Sequence, residues 1–354
     1  MVLTNLNIRL ADNSDKNRWD DFVKDHPQAS PYHLYAWKMA VEEAYNHRAL
    51  YLMAEENDQV AGVLPVIYLK PPLIAGQFVS LPYCDIGDIV ATEENIKGKL
   101  ILEAVSLARR AKARCIEIRG QVNSSSLRNA GVPVSVQSHK VRMIMELPNS
   151  SEILWDNFRS KLRSQIRKTE KNGLRFVWGG HKDIDSFYVV FSRNMRDLGS
   201  PVHSKRWFEA ILRYYDANAR MGLVYNNKQL IGAGIILSIH NNISVPWAST
   251  LQEYNRLSPN MMLYWEFIKY AADNGFVRFD FGRSTPNEGT YKFKEQWGAR
   301  PVPLYWNYIN VSRSDINFNT PDITGRNTVA RLWQRLPLGV ANYIGPAIRK
   351  HISL

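Results

Sequence analysis

Two cysteines in 354 residues, Cys84 and Cys115, exclude a disulfide-stapled scaffold and a paired-cysteine metal knuckle. Both sit among apolar neighbours, which predicts buried free thiols. The eight histidines are scattered and form no HExxH-type pair, so no metal site is expected. No run of 18 or more apolar residues occurs, which leaves no segment to cross a bilayer. The opening stretch turns polar by Asp12 and lacks the apolar core of a signal peptide. The expected location is therefore the cytoplasm, including the inner face of the membrane. Neither a GxSxG elbow nor a Cys–His signature is present, so no protein nucleophile is expected. Acids are scarce beside bases, 33 against 45, and the net charge is +12. Such an excess suits an anionic partner: nucleic acid, a phosphorylated sugar, a CoA-type cofactor or acidic lipid. The rest is ordinary globular composition, 45% hydrophobic and 22% charged, in a chain long enough for two domains.

Two stretches read alike. Residues 50–70 run apolar, polar near Glu56–Asp58, then apolar again, a hairpin signature. Residues 221–240 repeat it, with a turn at Asn226–Asn227. Gln59-Val60-Ala61-Gly62 matches Gln229-Leu230-Ile231-Gly232. Each hairpin is followed by a helical pattern and a short alternating strand, at 100–119 and again at 263–282. Glu103 and Glu117 in the first copy match Glu266 and Asp280 in the second. The pattern predicts an internal duplication and two α/β domains of similar topology. Expected boundaries are 1–148, 149–315 and a basic tail at 316–354.

After Pro148, Asn149 and Glu152 have the spacing of a helix start, and Gly173 that of a stop. Between them Trp155, Phe158, Leu162 and Ile166 form an apolar stripe. Arg159, Arg163, Arg167 and Lys171 form a ridge at four-residue spacing. Residues 159–175 hold seven cations against one acid, Glu170. The ridge is either a platform for phosphate or RNA backbone or a solvated face.

The second half then presents Ser258-Pro259-Asn260-Met261-Met262-Leu263-Tyr264-Trp265-Glu266 before a helix. The strand Phe279-Asp280-Phe281-Gly282-Arg283-Ser284 follows, and then Tyr291-Lys292-Phe293-Lys294-Glu295-Gln296-Trp297-Gly298. This ordered series resembles FemAB-like proteins of the GNAT superfamily, including those found with exosortase and exopolysaccharide systems. Tyr35-Ala36-Trp37, Leu81-Pro82-Tyr83-Cys84-Asp85 and the basic segment from Phe158 to Gly173 extend the resemblance over residues 5–312. It implies two tandem GNAT-like domains with mixed sheets. Its peptidoglycan members move an amino acid from aminoacyl-tRNA to an amine on a cell-wall precursor. A long charged helical hairpin, carried by some tRNA-using members, is not visible here. Acyl-CoA therefore stands beside aminoacyl-tRNA as the expected donor, with no permanently bound cofactor.

Direct attack by an amine on an activated carbonyl needs a held donor and a stabilised oxyanion. The resemblance implies that Lys294 lies where donor and acceptor meet. Asp280, a carboxylate within an apolar run, is either a general base or a structural partner of Arg278 or Arg283. Arg283 and Ser284 end the strand, where sites in open α/β sheets lie. Ser258, Asn260 and Met261 open a helix suited to an anionic donor, with Ser258 as its cap, and Arg159, Arg163 and Arg167 would add charge. Trp247 and Tyr254 are read as stacking residues or core. Trp37, Tyr83 and Asp85 are the first-domain candidates for the acceptor. The acceptor itself would be a small-molecule or lipid-linked sugar or peptide. Rival readings are a plain acetyl-CoA-dependent N-acetyltransferase, a non-catalytic scaffold in polysaccharide assembly, and an RNA-binding protein. From Pro321 onward five Lys/Arg stand against one acid, Asp322, which suits peripheral membrane contact. Pro337, Gly339, Gly345 and Pro346 are expected to break this tail into short pieces.

Overall fold

A computed structural model describes residues 6–123, 127, 131–311 and 323–354. They form two units, the first from residues 6–139, 303–311 and 350–354, the second from 140–302 and 323–349. In chain order the first unit holds β1 (Leu6–Leu10), α1 (Lys16–Asp25), α2 (Tyr35–Tyr45), β2 (Arg48–Ala49), β3 (Leu52–Glu56) and β4 (Gln59–Leu64). It continues through β5 (Ile67–Leu69), β6 (Gln77–Val79), β7 (Val90–Ala91), α3 (Glu94–Arg110), β8 (Cys115–Arg119) and β9 (Val134–Gln137). The second holds β10 (Val141–Glu146), α4 (Ser151–Asn157), α5 (Ser160–Lys171), β11 (Leu174–Gly179), α6 (Ile184–Asp197) and α7 (Lys205–Tyr215). Next come β12 (Ala219–Asn226), β13 (Gln229–Ile239), β14 (Asn242–Thr250), α8 (Pro259–Asp273), β15 (Arg278–Ser284), α9 (Gly289–Glu295) and β16 (Arg300–Pro303). Strand β17 (Trp306–Asn310) returns to the first unit, and α10 (Ile323–Gln334) and α11 (Leu338–Arg349) belong to the second.

The duplication is visible in the hydrogen-bond register. In the β3–β4 hairpin Glu56 faces Gln59 and Glu55 faces Val60, and then Ala61 bulges so that Ala54 faces Gly62. In the β12–β13 hairpin Asn226 faces Gln229 and Tyr225 faces Leu230, and Ile231 bulges so that Val224 faces Gly232. The same matched residues thus carry the same insertion, a local distortion that two unrelated hairpins have no reason to share. Each unit then runs a helix onto its sheet and returns by a strand that pairs parallel over a few residues. In the first, β6 meets β8 at Phe78/Ile116 and Val79/Glu117. In the second, β14 meets β15 at Asn242/Arg278, Ile243/Phe279 and Ser244/Asp280. The last parallel pair in each contains a buried carboxylate, Glu117 or Asp280.

The first unit has a four-stranded sheet, β1-β3-β4-β7, and a six-stranded one, β2-β5-β6-β8-β17-β9. The second has one seven-stranded sheet, β11-β12-β13-β14-β15-β10-β16. Helix α3 buries Leu100, Ile101, Ala104, Val105 and Ala108 in the first core. Helix α8 buries Leu263, Phe267, Ile268, Ala271 and Ala272 in the second. At roughly 1.5–3 kcal/mol per large apolar side chain, these helix faces dominate each unit's stability.

The expected boundaries shift. Strand β10, read as the end of the first domain, pairs antiparallel with β15, so the division falls at 139/140 instead of 148. Strand β17, read as part of the second domain, lies between β8 and β9. Both are amphipathic strands whose partners lie far along the chain. The expected 315/316 division lies outside the described residues. The single helix expected over 152–172 is two, because Phe158 and Arg159 adopt extended backbone; the cap is Ser150, which accepts from Ile153 N at 3.3 Å, not Asn149. The tail forms two helices. Gly345 and Pro346 lie inside α11, so they do not break it, although Pro346 removes one internal hydrogen bond. Both cysteines are buried and free, and burial pushes the Cys115 thiol up to about 11.

Candidate active site

Strands β14 and β15 stop pairing after Ser244 and Asp280, although β14 runs on to Thr250 and β15 to Ser284. The unpaired end of β15 is shaped by a bulge. Arg142 of β10 faces Arg283, but Ile144 faces Asp280, so β15 holds one extra residue. Gly282 takes φ +74°, a conformation that a side chain would oppose. Asp280 pins this kink: its Oδ1 accepts from Gly282 N–H at 2.8 Å. Its Oδ2 pairs with Arg142 at 2.6 Å. Asp280 is therefore a buried structural carboxylate, and its partner is Arg142. The expected partner Arg278 instead meets Glu146 at 3.2 Å.

The kink turns two carbonyls toward Lys294. This residue lies on helix α9, not on a strand, and is only 7% exposed. Its ammonium donates to Gly282 O at 3.1 Å and Arg283 O at 2.7 Å. A buried cation is costly unless solvated by the protein, and two aligned peptide carbonyls supply that solvation. Tyr264 of α8 stacks on Phe281 at 5.5 Å and meets Phe293 edge-on at 5.2 Å, joining α8, β15 and α9. Burial pushes its phenol up to about 12, so it stays protonated at neutral pH.

Ser284 ends β15 with its hydroxyl buried, and among the described residues Oγ has no hydrogen-bond partner. Such an orphan costs about 1–3 kcal/mol unless a ligand or water meets it. Lys140 donates to the adjacent Thr285 hydroxyl. Arg283 is half-buried beside it. Helix α8 starts with Pro259 in its first turn, but Ser258 is left-handed (φ +60°) and makes no side-chain cap. The first turn is thus available to an anion rather than closed by its own serine. Asn260 is half-buried there, whereas Met261 is core, with Gln296 Nε2 at 3.8 Å from its sulfur.

Helix α5 adjoins these elements through Phe158, which contacts Trp265 at 5.8 Å and Trp297 at 5.7 Å. Arg159 and Arg167 are exposed and Arg163 is half-buried. Among the described residues no carboxylate pairs with any of the three, and Arg167 lies over the Trp155 ring at 5.2 Å.

Other expected residues lie elsewhere. Trp247 is 6% exposed and packs edge-on against Phe208 at 5.2 Å, so it is core and offers no stacking face. Tyr254 is half-buried against the core that contains Met261, Leu263 and Trp265. In the first unit Trp37 is fully buried, donating to Pro82 O at 3.1 Å. Tyr83 donates its hydroxyl to Lys350 O at 2.6 Å and holds the chain end. The backbone carbonyl of Asp85 accepts from Trp306 Nε1 at 3.2 Å. Trp37 and Tyr83 thus have packing roles, imposed by aromatic bulk. A cavity of about 440 Å³ in the first unit lies between the start of α3 and the residues after β8. Glu94, Lys97, Gln121, Asn123, Tyr305 and Asn307 line it, and no expected site residue does. Arg142, Lys140 and Tyr264 were missed as site residues. A cation between the apolar Val141 and Met143 was the one available signal for Arg142.

The bulged hairpin, the helix that follows it and the strand that returns in parallel are the elements of the GNAT fold, present here twice in tandem. Residues 156–295 match the acetyltransferase (GNAT) domain family. The crystal structure of FemX matches with a TM-score of 0.69 at 16% identity, over 86% of this chain and 97% of that one. L-PGS from Bacillus licheniformis matches with a TM-score of 0.57 at 12% identity, over 93% and 99%. A tandem GNAT protein from the clavulanic acid biosynthesis pathway matches with a TM-score of 0.54 at 10% identity, over 88% and 100%. No curated protein matches the sequence. Among the described residues no helix is long and apolar enough to cross a membrane.

Proposed function

We propose that the second unit transfers an activated acyl or aminoacyl group to an amine on a cell-envelope or exopolysaccharide precursor, of the kind handled by FemAB-like proteins. The observation that carries this is the buried ammonium of Lys294, fixed by two carbonyls at the end of β15. Around it stand an uncapped helix start and the orphan hydroxyl of Ser284. The donor's anionic part would lie at the first turn of α8, with Arg159, Arg163 and Arg167 as further cations. The amine attacks the carbonyl carbon, a C–N bond forms, and the bond to the donor's sulfur or oxygen breaks. The amine's proton leaves with the departing group. Lys294 supplies positive charge to the developing oxyanion. Asp280 positions that cation through Gly282 and takes no proton. The FemX and L-PGS folds favour an aminoacyl donor, and the clavulanic acid tandem GNAT protein favours acyl-CoA.

The purified protein incubated with acetyl-CoA, longer acyl-CoAs and charged tRNAs, with amine acceptors, is expected to discharge one donor class by mass spectrometry. Lys294→Ala should lower kcat by about 10²–10³, beyond the modest loss of melting temperature that follows from removing its two hydrogen bonds to carbonyls. Discharge of acetyl-CoA alone would select the plain N-acetyltransferase. Failure with every donor would leave the scaffold reading, and an unchanged kcat in Lys294→Ala would remove Lys294 from the chemistry.

A further inference from the structure

Helix α11 is built inside out. Its inward positions are Ala341, Gly345 and Arg349, all buried. Three of its large apolar residues are exposed, Val340 at 44%, Tyr343 at 86% and Ile348 at 42%, while Leu338 and Ile344 are half-buried. Val340, Tyr343 and Ala347 recur at three- and four-residue spacing and so share one stripe, with Ile348 at its margin. An ordinary surface helix does the reverse. The thin inner face is required, because at Gly345 an added Cβ would lie 3.1 Å from Val202 Cγ1 and backbone N. The helix is therefore pressed onto the body by its small side, with its apolar side in water.

The neighbouring α10 buries a large residue but also leaves apolar side chains in water. Trp333 is buried, while Val329 is 63% and Leu332 60% exposed. Leu198, at the end of α6, is 62% exposed and precedes Gly199, which abuts Ala330 of α10. Arg196 Nη1 donates to Leu336 O and Gln334 Nε2 to Asp197 O, fixing α10 against α6. Beside these apolar residues stand the exposed cations Arg331 and Arg335, which no carboxylate pairs with among the described residues. Residues 323–354 contain no Asp or Glu at all. An apolar stripe with a wet aromatic and only positive charge complements an anionic lipid surface.

We propose that α10 and α11 dock the protein on a negatively charged bilayer, with Tyr343 and Ile348 inserted at the headgroup level and Arg331 and Arg335 against lipid phosphates. The inference stands independently of acyl transfer, because binding needs no substrate. The test is flotation of the full chain with vesicles of phosphatidylcholine alone or with 30% phosphatidylglycerol, a composition at about the level of an anionic leaflet. Binding is expected with phosphatidylglycerol only, weakening as salt rises. Tyr343→Ser/Ile348→Ser, at two exposed positions, should lower apparent affinity about tenfold or more with an unchanged melt. Arg331→Gln/Arg335→Gln should remove most of the salt dependence. Three results would overturn the proposal. One is no binding to phosphatidylglycerol vesicles, and another is binding that the Tyr343/Ile348 variant retains. The third is a dimer in sedimentation equilibrium that this variant abolishes without vesicle binding, which would make the face a contact between copies.

Discussion

Lys294 and Asp280 exchange the roles their residue types suggest. The carboxylate, a candidate base in the sequence, is occupied by Arg142 and by the Gly282 N–H. The lysine, which the resemblance sets where donor and acceptor meet, is buried. The inversion follows from one bulge, since without the kink at Gly282 the two carbonyls would not converge on the ammonium. A second carboxylate, Asp88, has no part in this site. Burial pushes its carboxyl up to about 6, against the pull of the Ile89 and Gln121 N–H groups. The folded pKa lies above the unfolded value of about 3.9. Its contribution to stability is therefore fully present below pH 4 and lost as the pH rises to about 6. The loss is roughly 3 kcal/mol by linkage. Asp88→Asn keeps an acceptor for one of the two N–H groups, which bond to different carboxylate oxygens, and the cost of losing the other does not vary with pH. Urea titrations should find the variant gaining on the parent between pH 4 and 6, then holding a constant margin. A margin independent of pH would show that Asp88 ionises freely.

Helix α5 is the element whose charge has no internal explanation. Three of its apolar positions, Leu162, Ile166 and Thr169, are buried, which accounts for its folding. Arg159, Arg163 and Arg167 contribute no ion pair to that packing, and the contact of Arg167 with Trp155 is worth only about 0.5–1 kcal/mol. If these cations meet a polyanionic donor, replacing all three with glutamine costs binding without costing the fold. Fluorescence anisotropy with labelled tRNA should show the slope of log affinity against log salt falling by about 2–3. The melting temperature should move little. A slope identical to that of the parent would make the ridge a solvated face.

At the scale of the molecule, the chain does not divide as its sequence pattern divides. A fragment ending at 148 would carry β10 without β15 and would lack β17 between β8 and β9. It would lose the fully buried Ile309 and two ladders of the six-stranded sheet. Circular dichroism of fragment 1–148 is expected to show no cooperative melt, while the full chain melts cooperatively. Cooperative unfolding of that fragment alone would mean that the first unit is complete without its returning strand.

The amino-acid sequence by itself determined the two hairpins, the helix after each, and the strand that follows. Their periodicity and turn residues act over a few positions. The repeat was legible because Gln59–Gly62 and Gln229–Gly232 keep even their bulge. Tertiary structure alone decided that Arg142 meets Asp280, that β10 and β17 join sheets away from their neighbours in the chain, and that α11 turns its large apolar residues outward. Each of these depends on strand pairing or helix docking between segments far apart in the chain, and no local pattern encodes a distant partner.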